Sequence, residues 1–154
     1  MLGLVASLVL AVVLTSAAPP AAERTVGDLR LQVTVGKDAF ARGEPVSIFL
    51  RVVNSAASPV AVTFPSSQQF DLIVRQRGAL IWQWSHDKAF LQVIREVPLA
   101  PGETRTFSGT WDQRDLQGRQ VDPGTYDVYV AFLGWQRGGA RGIEVGPVRI
   151  TIQR

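Results

Sequence analysis

Short runs of alternating apolar and polar residues recur from residue 29 to the end of the chain, and this pattern constrains the fold most. Apolar residues occupy every second position in residues 29–35, 46–52 and 126–132. Because successive side chains of a strand point to opposite faces of a sheet, a period of two is typical of half-buried strands. Helical periodicity is hard to find after residue 25. The sequence therefore predicts an all-β fold.

Turn signals divide these runs into about eight strands. Arg77-Gly78 predicts a tight hairpin with glycine at a positive φ angle, and Pro101-Gly102 predicts a type II turn. Residues 86–99 are less regular, and we expect them to follow a sheet edge. The other predicted strands are residues 60–64, 70–74, 80–84, 104–111 and 148–152.

Eight strands in about 130 residues favour an immunoglobulin-like antiparallel β-sandwich over an eight-stranded barrel. Tyr126 follows the corner Asp122-Pro123-Gly124 at the start of a late strand, as a tyrosine corner does. We expect its hydroxyl to bond to backbone upstream. The predicted sandwich is a single domain of residues 26–154, and its large core side chains are Trp82, Trp84, Tyr126 and Phe132.

The N-terminus carries an uncharged apolar run over residues 2–18, followed by Pro19-Pro20. A run of 17 residues that ends in small side chains is typical of a signal peptide and short for a membrane span. We predict a signal-like helix within residues 1–22 and a secreted or periplasmic protein. No Lys or Arg precedes the run, so an uncleaved membrane anchor at residues 2–18 remains an alternative. Cleavage after Ala17 or near Ala22 fits the sequence equally well.

Enzymatic chemistry is disfavoured by the residue inventory. The chain has no cysteine and one histidine, which excludes disulfide scaffolds and thiol catalysis. His86 is flanked directly by Ser85 and Asp87, and neighbouring side chains of an extended segment point to opposite faces. The three cannot orient one another as a catalytic triad does. We therefore predict no catalytic residues.

Metal, cofactor and nucleic-acid binding are also disfavoured. A calcium loop starting at Asp112 would place Arg114 and Pro123 at ligand positions. No glycine-rich loop precedes a helix, so no phosphate-binding motif is present. The single Arg137-Gly-Gly and the net charge of +3 are too little for nucleic-acid binding. The expected partner is a protein.

Two predicted loops offer candidate binding side chains. The glycine-rich residues 134–142 carry Trp135, Arg137 and Arg141, which we predict as the binding residues. An exposed tryptophan beside arginines is a frequent anchor for a protein partner. Packing of Trp135 over the end of the sandwich is the alternative. The polar loop at residues 114–122 is a second candidate.

A series of short motifs follows in order along the middle of the chain: Thr63-Phe64, Gln69-Phe70-Asp71, Gly78, Trp82-Gln83-Trp84-Ser85, Phe90-Leu91-Gln92, Leu99-Ala100-Pro101-Gly102-Glu103, Trp111, Gly118, Val121 and Pro123-Gly124-Thr125-Tyr126. In the order and spacing of these motifs, residues 46–133 resemble the intracellular proteinase inhibitor family, the BsuPI-type domain. The resemblance implies an immunoglobulin-like sandwich and a protein without enzymatic activity that binds a serine proteinase of the subtilisin type. It assigns no reactive-site residue to this chain. The family's namesake is cytoplasmic, so an exported member would inhibit a proteinase outside the cytoplasm or serve as an envelope interaction module without inhibitory activity.

Overall fold

A computed structural model of the protein describes residues 17–154, and the prediction of an all-β fold is confirmed. The predicted helix of the N-terminal run lies outside the described residues, apart from its last positions. Among residues 17–154, no helix has the length and hydropathy needed to cross a bilayer. The described elements are β1 (Ala21–Val26), β2 (Leu29–Val35), β3 (Ala39–Phe40), β4 (Val46–Asn54), β5 (Val60–Phe64), β6 (Phe70–Gln76), β7 (Ala79–Gln83), a 3₁₀ helix (Trp84–Asp87), β8 (Arg95–Leu99), β9 (Thr104–Trp111), β10 (Gly124–Phe132) and β11 (Ile143–Ile152).

The strands form two larger sheets and one small one. One larger sheet has the order β1-β2-β4-β9, and the other has the order β3-β11-β10-β6-β7. Strands β5 and β8 pair with each other in a separate two-stranded sheet. Neighbours are antiparallel except β3 and β11, which are parallel. The two larger sheets pack face to face, so the chain forms the predicted sandwich and not a closed barrel.

Aromatic side chains from both larger sheets meet in the core. The fully buried Trp111 of β9 lies 6.4 Å from Trp82 and 5.5 Å from Tyr126, measured between ring centroids. Gly109 allows the sheets to approach closely, since a Cβ at this position would lie 2.6 Å from a methyl group of Leu72. The alternation of buried and exposed residues in the sequence therefore matches the two faces of each sheet.

The predicted turns are confirmed. The Tyr126 hydroxyl donates a hydrogen bond of 2.6 Å to the carbonyl of Asp122, as a tyrosine corner requires. Burial raises the pKa of Tyr126, which keeps the hydroxyl protonated and able to donate. Arg77 and Gly78 have φ angles of 49° and 82°, the combination that a type I′ hairpin needs. These local motifs fix the connections between strands.

Three strands were missed, and the buried face of one predicted strand was wrong. Strand β1 was missed because it is a mostly exposed edge strand without an alternating pattern, and β3 because it is two residues long. Strand β8 contains Pro98, which confines it to a sheet edge. Leu80 was predicted to share a buried face with Trp82 but is exposed, since the register of β6 with β7 shifts in between.

Candidate functional site

Three connections lie together at one end of the sandwich. The backbone N–H of Leu133, which follows β10, donates to the carbonyl of Gln69 at a distance of 3.0 Å. Phe132 and Phe70 are paired residues of β10 and β6 at this end. The backbone of Leu91 bonds to Ser67, so residues 65–69, 89–94 and 133–142 share one surface, which is the candidate functional surface of the protein.

Residues 89–94, which we call the apolar segment, are the most unusual part of this surface. Leu91, Val93 and Ile94 expose 69%, 48% and 75% of their surface to solvent. Only two other large apolar side chains of the described chain, Phe49 and Leu80, are counted as exposed. Folding does not require this arrangement, because the core is complete without these three side chains. Three exposed large apolar side chains within four positions of the chain indicate a candidate interaction site.

The apolar segment is extended and is held at defined points. It contains no turn, bend or helix, and its φ angles are all negative. The backbone N–H of Leu91 donates to the hydroxyl of Ser67 at 2.9 Å, and the backbone N–H of Ser67 donates to the Leu91 carbonyl at 2.9 Å. The ring of Phe90 packs against Trp84, with 6.0 Å between the centroids. The segment is therefore ordered before any partner binds.

A buried carboxylate fixes the turn that leads into the segment. Asp71 is almost fully buried in β6 and accepts three hydrogen bonds. The donors are the side chain of Gln83 at 2.6 Å and the backbone N–H and hydroxyl of Ser85 at 3.0 Å and 2.5 Å. Since several donors satisfy the carboxylate, its burial is tolerated and the 3₁₀ helix is held in one position.

Lys88 directly precedes the apolar segment and contacts the 3₁₀ helix. Its ammonium group donates to the carbonyl of Trp84 and to the carboxylate of Asp87, both at 3.1 Å, and lies 4.6 Å from the centroid of the Trp84 ring. The hydrogen bond from Lys88 lowers the pKa of Asp87, so that carboxylate stays ionised. The charges of Lys88 and Asp87 thus compensate each other. The apolar side chains are therefore the distinctive feature of this region.

The predicted binding residues of loop 134–142 lie on the same end of the molecule. Trp135 is half-buried, and its backbone N–H and C=O pair with Thr63 of β5 at 3.0 Å and 2.9 Å. The guanidinium of Arg141 lies 4.1 Å from the centroid of the Trp135 ring, whereas Arg137 is exposed at the loop tip. The structure therefore brings Trp135 and Arg141 together, whereas the side chain of Arg137 makes no hydrogen bond, ion pair or cation–π contact within residues 17–154.

The other candidate loop, residues 114–122, and the two residues before it are tied to the fold. The side chain of Gln113 is completely buried and bonds to the backbone of Ala41, Gly43 and Glu44 at 2.7–2.8 Å. Asp115 accepts the backbone N–H of Arg119 at 2.9 Å, and this bond is the main cause of its lowered pKa. These bonds give the loop a structural task that its polar composition alone did not reveal.

Catalytic geometry does not form around the single histidine. The hydroxyl of Ser85 bonds to Asp71, while Nδ1 of His86 lies 2.6 Å from the carbonyl of Gln83. The serine and the histidine therefore have separate partners. Within residues 17–154, no three His, Asp or Glu side chains are grouped so that they could hold a metal ion.

The apolar segment is the feature that the sequence analysis missed. Its residues fell in the irregular stretch 86–99, which was expected to follow a sheet edge. The available signal was the composition of residues 90–94, where four large apolar side chains occur in five positions without the alternation of a strand. Apolar residues are usually buried, so only the structure shows that these are not.

Comparison with solved structures finds distant likenesses. The sporulation control protein Spo0M of Bacillus subtilis aligns with 83% of this chain and 50% of its own at 16% identity and a TM-score of 0.48. The CARDB domain of the PF1109 protein of Pyrococcus furiosus aligns with 82% of this chain and 88% of its own at 15% identity and a TM-score of 0.45. The DNA glycosylase AlkC of Pseudomonas fluorescens aligns with 88% of this chain and 31% of its own at 13% identity and a TM-score of 0.45, so this chain spans about a third of its length. At these values no function follows from the likenesses.

Comparison with known sequences gives a specific result. No curated protein matches the chain. A family model described as intracellular proteinase inhibitor, BsuPI, matches residues 33–136, which include the predicted resemblance at residues 46–133 and extend beyond it on both sides. The match covers β3 to β10 and contains the apolar segment. The chain belongs to the BsuPI family of intracellular proteinase inhibitors.

Proposed function

We propose that the protein inhibits a serine proteinase of the subtilisin type outside the cytoplasm, and that the apolar segment contacts the proteinase. The observation that carries this proposal is the exposed, extended and pinned chain at residues 89–94 on the fold of a proteinase inhibitor family. Proteinases bind their substrate chains in an extended conformation. A segment of this shape therefore fits the substrate cleft.

The physical properties of the segment support inhibition by tight binding. Because Ser67 and Phe90 hold it before binding, little conformational entropy is lost when a complex forms. Leu91, Val93 and Ile94 supply apolar surface that becomes buried in the complex, at about 25 cal/mol for each Å². The apolar character suits a cleft that accepts large apolar side chains, which supports the subtilisin type over proteinases that select for basic residues.

Export is proposed from the apolar run at residues 2–18. The described fold bears on where the run is removed. The carbonyl of Pro20 accepts the backbone N–H of Val35 at 3.1 Å, and β1 begins at Ala21. Cleavage after Ala17 keeps this strand whole, whereas cleavage near Ala22 removes its first residues. We therefore propose cleavage after Ala17, and N-terminal sequencing of the exported protein tests it: a mature chain starting at Ala18 supports the proposal, and a retained run or a later start contradicts it.

The inhibitory activity is tested with a panel of serine proteinases that includes subtilisin-type and trypsin-type enzymes. Residual proteinase activity and cleavage of the protein itself are followed together. Inhibition of the subtilisin-type enzymes at about nanomolar concentration, without rapid cleavage, is the expected result. An intact protein that inhibits none of them contradicts the proposal and favours an envelope interaction module without inhibitory activity.

A further inference from the structure

The direction of the Leu91 backbone is fixed by its two hydrogen bonds. Both its N–H and its C=O point towards Ser67, at the inner side of the segment. In an extended chain the N–H and C=O of one residue point to the same edge, and those of the next residue point to the opposite edge. The backbone of Leu91 is therefore occupied and unavailable to a partner.

A second fixed point lies four residues further along. Thr63 directs both backbone groups to Trp135, so it cannot bond to Glu96, its paired residue in β8. Hydrogen-bonded and non-hydrogen-bonded pairs alternate in an antiparallel ladder, so the next pair, Phe64 with Arg95, is hydrogen-bonded. The backbone of Arg95 therefore points inward, as that of Leu91 does.

The two fixed points agree on the residues between them. Leu91 and Arg95 are four positions apart. In an extended chain, residues an even number of positions apart direct their N–H and C=O groups to the same edge, and no turn or bend lies between these two. Gln92 and Ile94 consequently direct their N–H and C=O groups to the outer edge, and Val93 directs its groups inward. None of Gln92, Val93 and Ile94 makes a backbone hydrogen bond within the described residues, so the outer edge at Gln92 and Ile94 is free to pair.

We infer that the outer backbone edge at Gln92 and Ile94 pairs with the substrate cleft of the proteinase as an added β-strand. This inference rests on the proposed function and adds which edge of the segment is used. Addition of a strand uses main-chain hydrogen bonds for affinity and side-chain pockets for specificity. The edge ends at Pro98, which has no N–H to donate, so pairing is confined to residues 92–97.

Amide hydrogen exchange, resolved by residue, tests this inference. The full chain is measured alone and with a subtilisin-type proteinase whose catalytic serine is replaced by alanine. In the free protein we expect the Leu91 amide to exchange slowly and the amides of Gln92 and Ile94 to exchange fast. In the complex, Gln92 and Ile94 become protected by at least about tenfold, because each donates to the cleft. Val93 changes little.

Each other result has a distinct meaning. Protection of Val93 without Gln92 and Ile94 overturns the choice of edge. Inhibition without any protection at residues 92–96 overturns the role of the edge while the proposed function stands. Absence of inhibition by the unmodified protein overturns the proposed function and this inference with it.

Ser67→Ala provides a second test, with Ser58→Ala as its control. The first substitution removes the acceptor of the Leu91 N–H, so we expect about tenfold weaker inhibition and new cleavage within residues 89–95. The hydroxyl of Ser58 is exposed and bonds to nothing in the described chain, so its variant is expected to inhibit like the unmodified protein. Equal inhibition and equal resistance to cleavage in both variants would contradict the positioning role of Ser67.

Discussion

The loop at residues 112–122 and the apolar segment at residues 89–94 differ in how the fold uses them. The loop is polar and its side chains stabilise the fold: Gln113 is buried, and Asp115 accepts hydrogen bonds from backbone N–H groups. The segment is apolar, is held at Ser67 and Trp84, and turns its large side chains to solvent. Composition alone would have assigned burial to the segment and binding to the loop. The comparison teaches that a surface left unused by the fold is the better indication of function.

The largest effect on stability is expected from a substitution in the polar loop. Gln113→Ala removes the buried amide that bonds to Ala41, Gly43 and Glu44 and leaves their backbone groups without partners. We expect a loss of about 2–3 kcal/mol in the free energy of unfolding, with the affinity for the proteinase unchanged in the folded protein. Thermal unfolding and an inhibition titration measure the two quantities. An unchanged melting temperature would show that the loop is not required by the fold.

A smaller effect is expected at Trp135, which shares the end of the sandwich with the apolar segment. Trp135→Ala removes a half-buried ring that packs against Arg141, so we expect a loss of about 1–2 kcal/mol in stability. The inhibition constant should change by less than about threefold. Loss of inhibition at an unchanged melting temperature would instead make residues 134–142 the contact site, as the sequence analysis predicted.

The smallest effect concerns the acid stability of the polar loop. The pKa of Asp115 is lowered from its ordinary value of 3.8, mainly by the backbone N–H of Arg119. A lowered pKa contributes stability that is present above the unfolded value and is lost as the pH falls through the folded value. Asp115→Asn should therefore be less stable than the unmodified protein at neutral pH and should match it more closely in strong acid. Unfolding measured from pH 7 down to pH 2 tests this, and a difference that does not narrow contradicts it.

Local motifs made much of the fold predictable from the sequence. The hydroxyl of Tyr126 bonds four residues back, and Gly78 sits in a two-residue turn, so both features depend on neighbours in the chain. Strands β1 and β8 depend on distant partners, which a single sequence does not reveal. The same reason applies to the candidate site, since the exposure of Ile94 depends on what the rest of the chain leaves uncovered.

The role of the apolar segment is tested most directly by placing a charge in the segment and an identical charge elsewhere. Ile94→Asp and Leu80→Asp each change an exposed apolar side chain, one in the segment and one in β7. Inhibition of a subtilisin-type proteinase and the melting temperature are measured for both. We predict that Ile94→Asp weakens inhibition by about a hundredfold, or about 2.7 kcal/mol, at an unchanged melting temperature, and that Leu80→Asp inhibits like the unmodified protein. Equal inhibition by both variants would contradict the assignment of residues 89–94 as the proteinase contact.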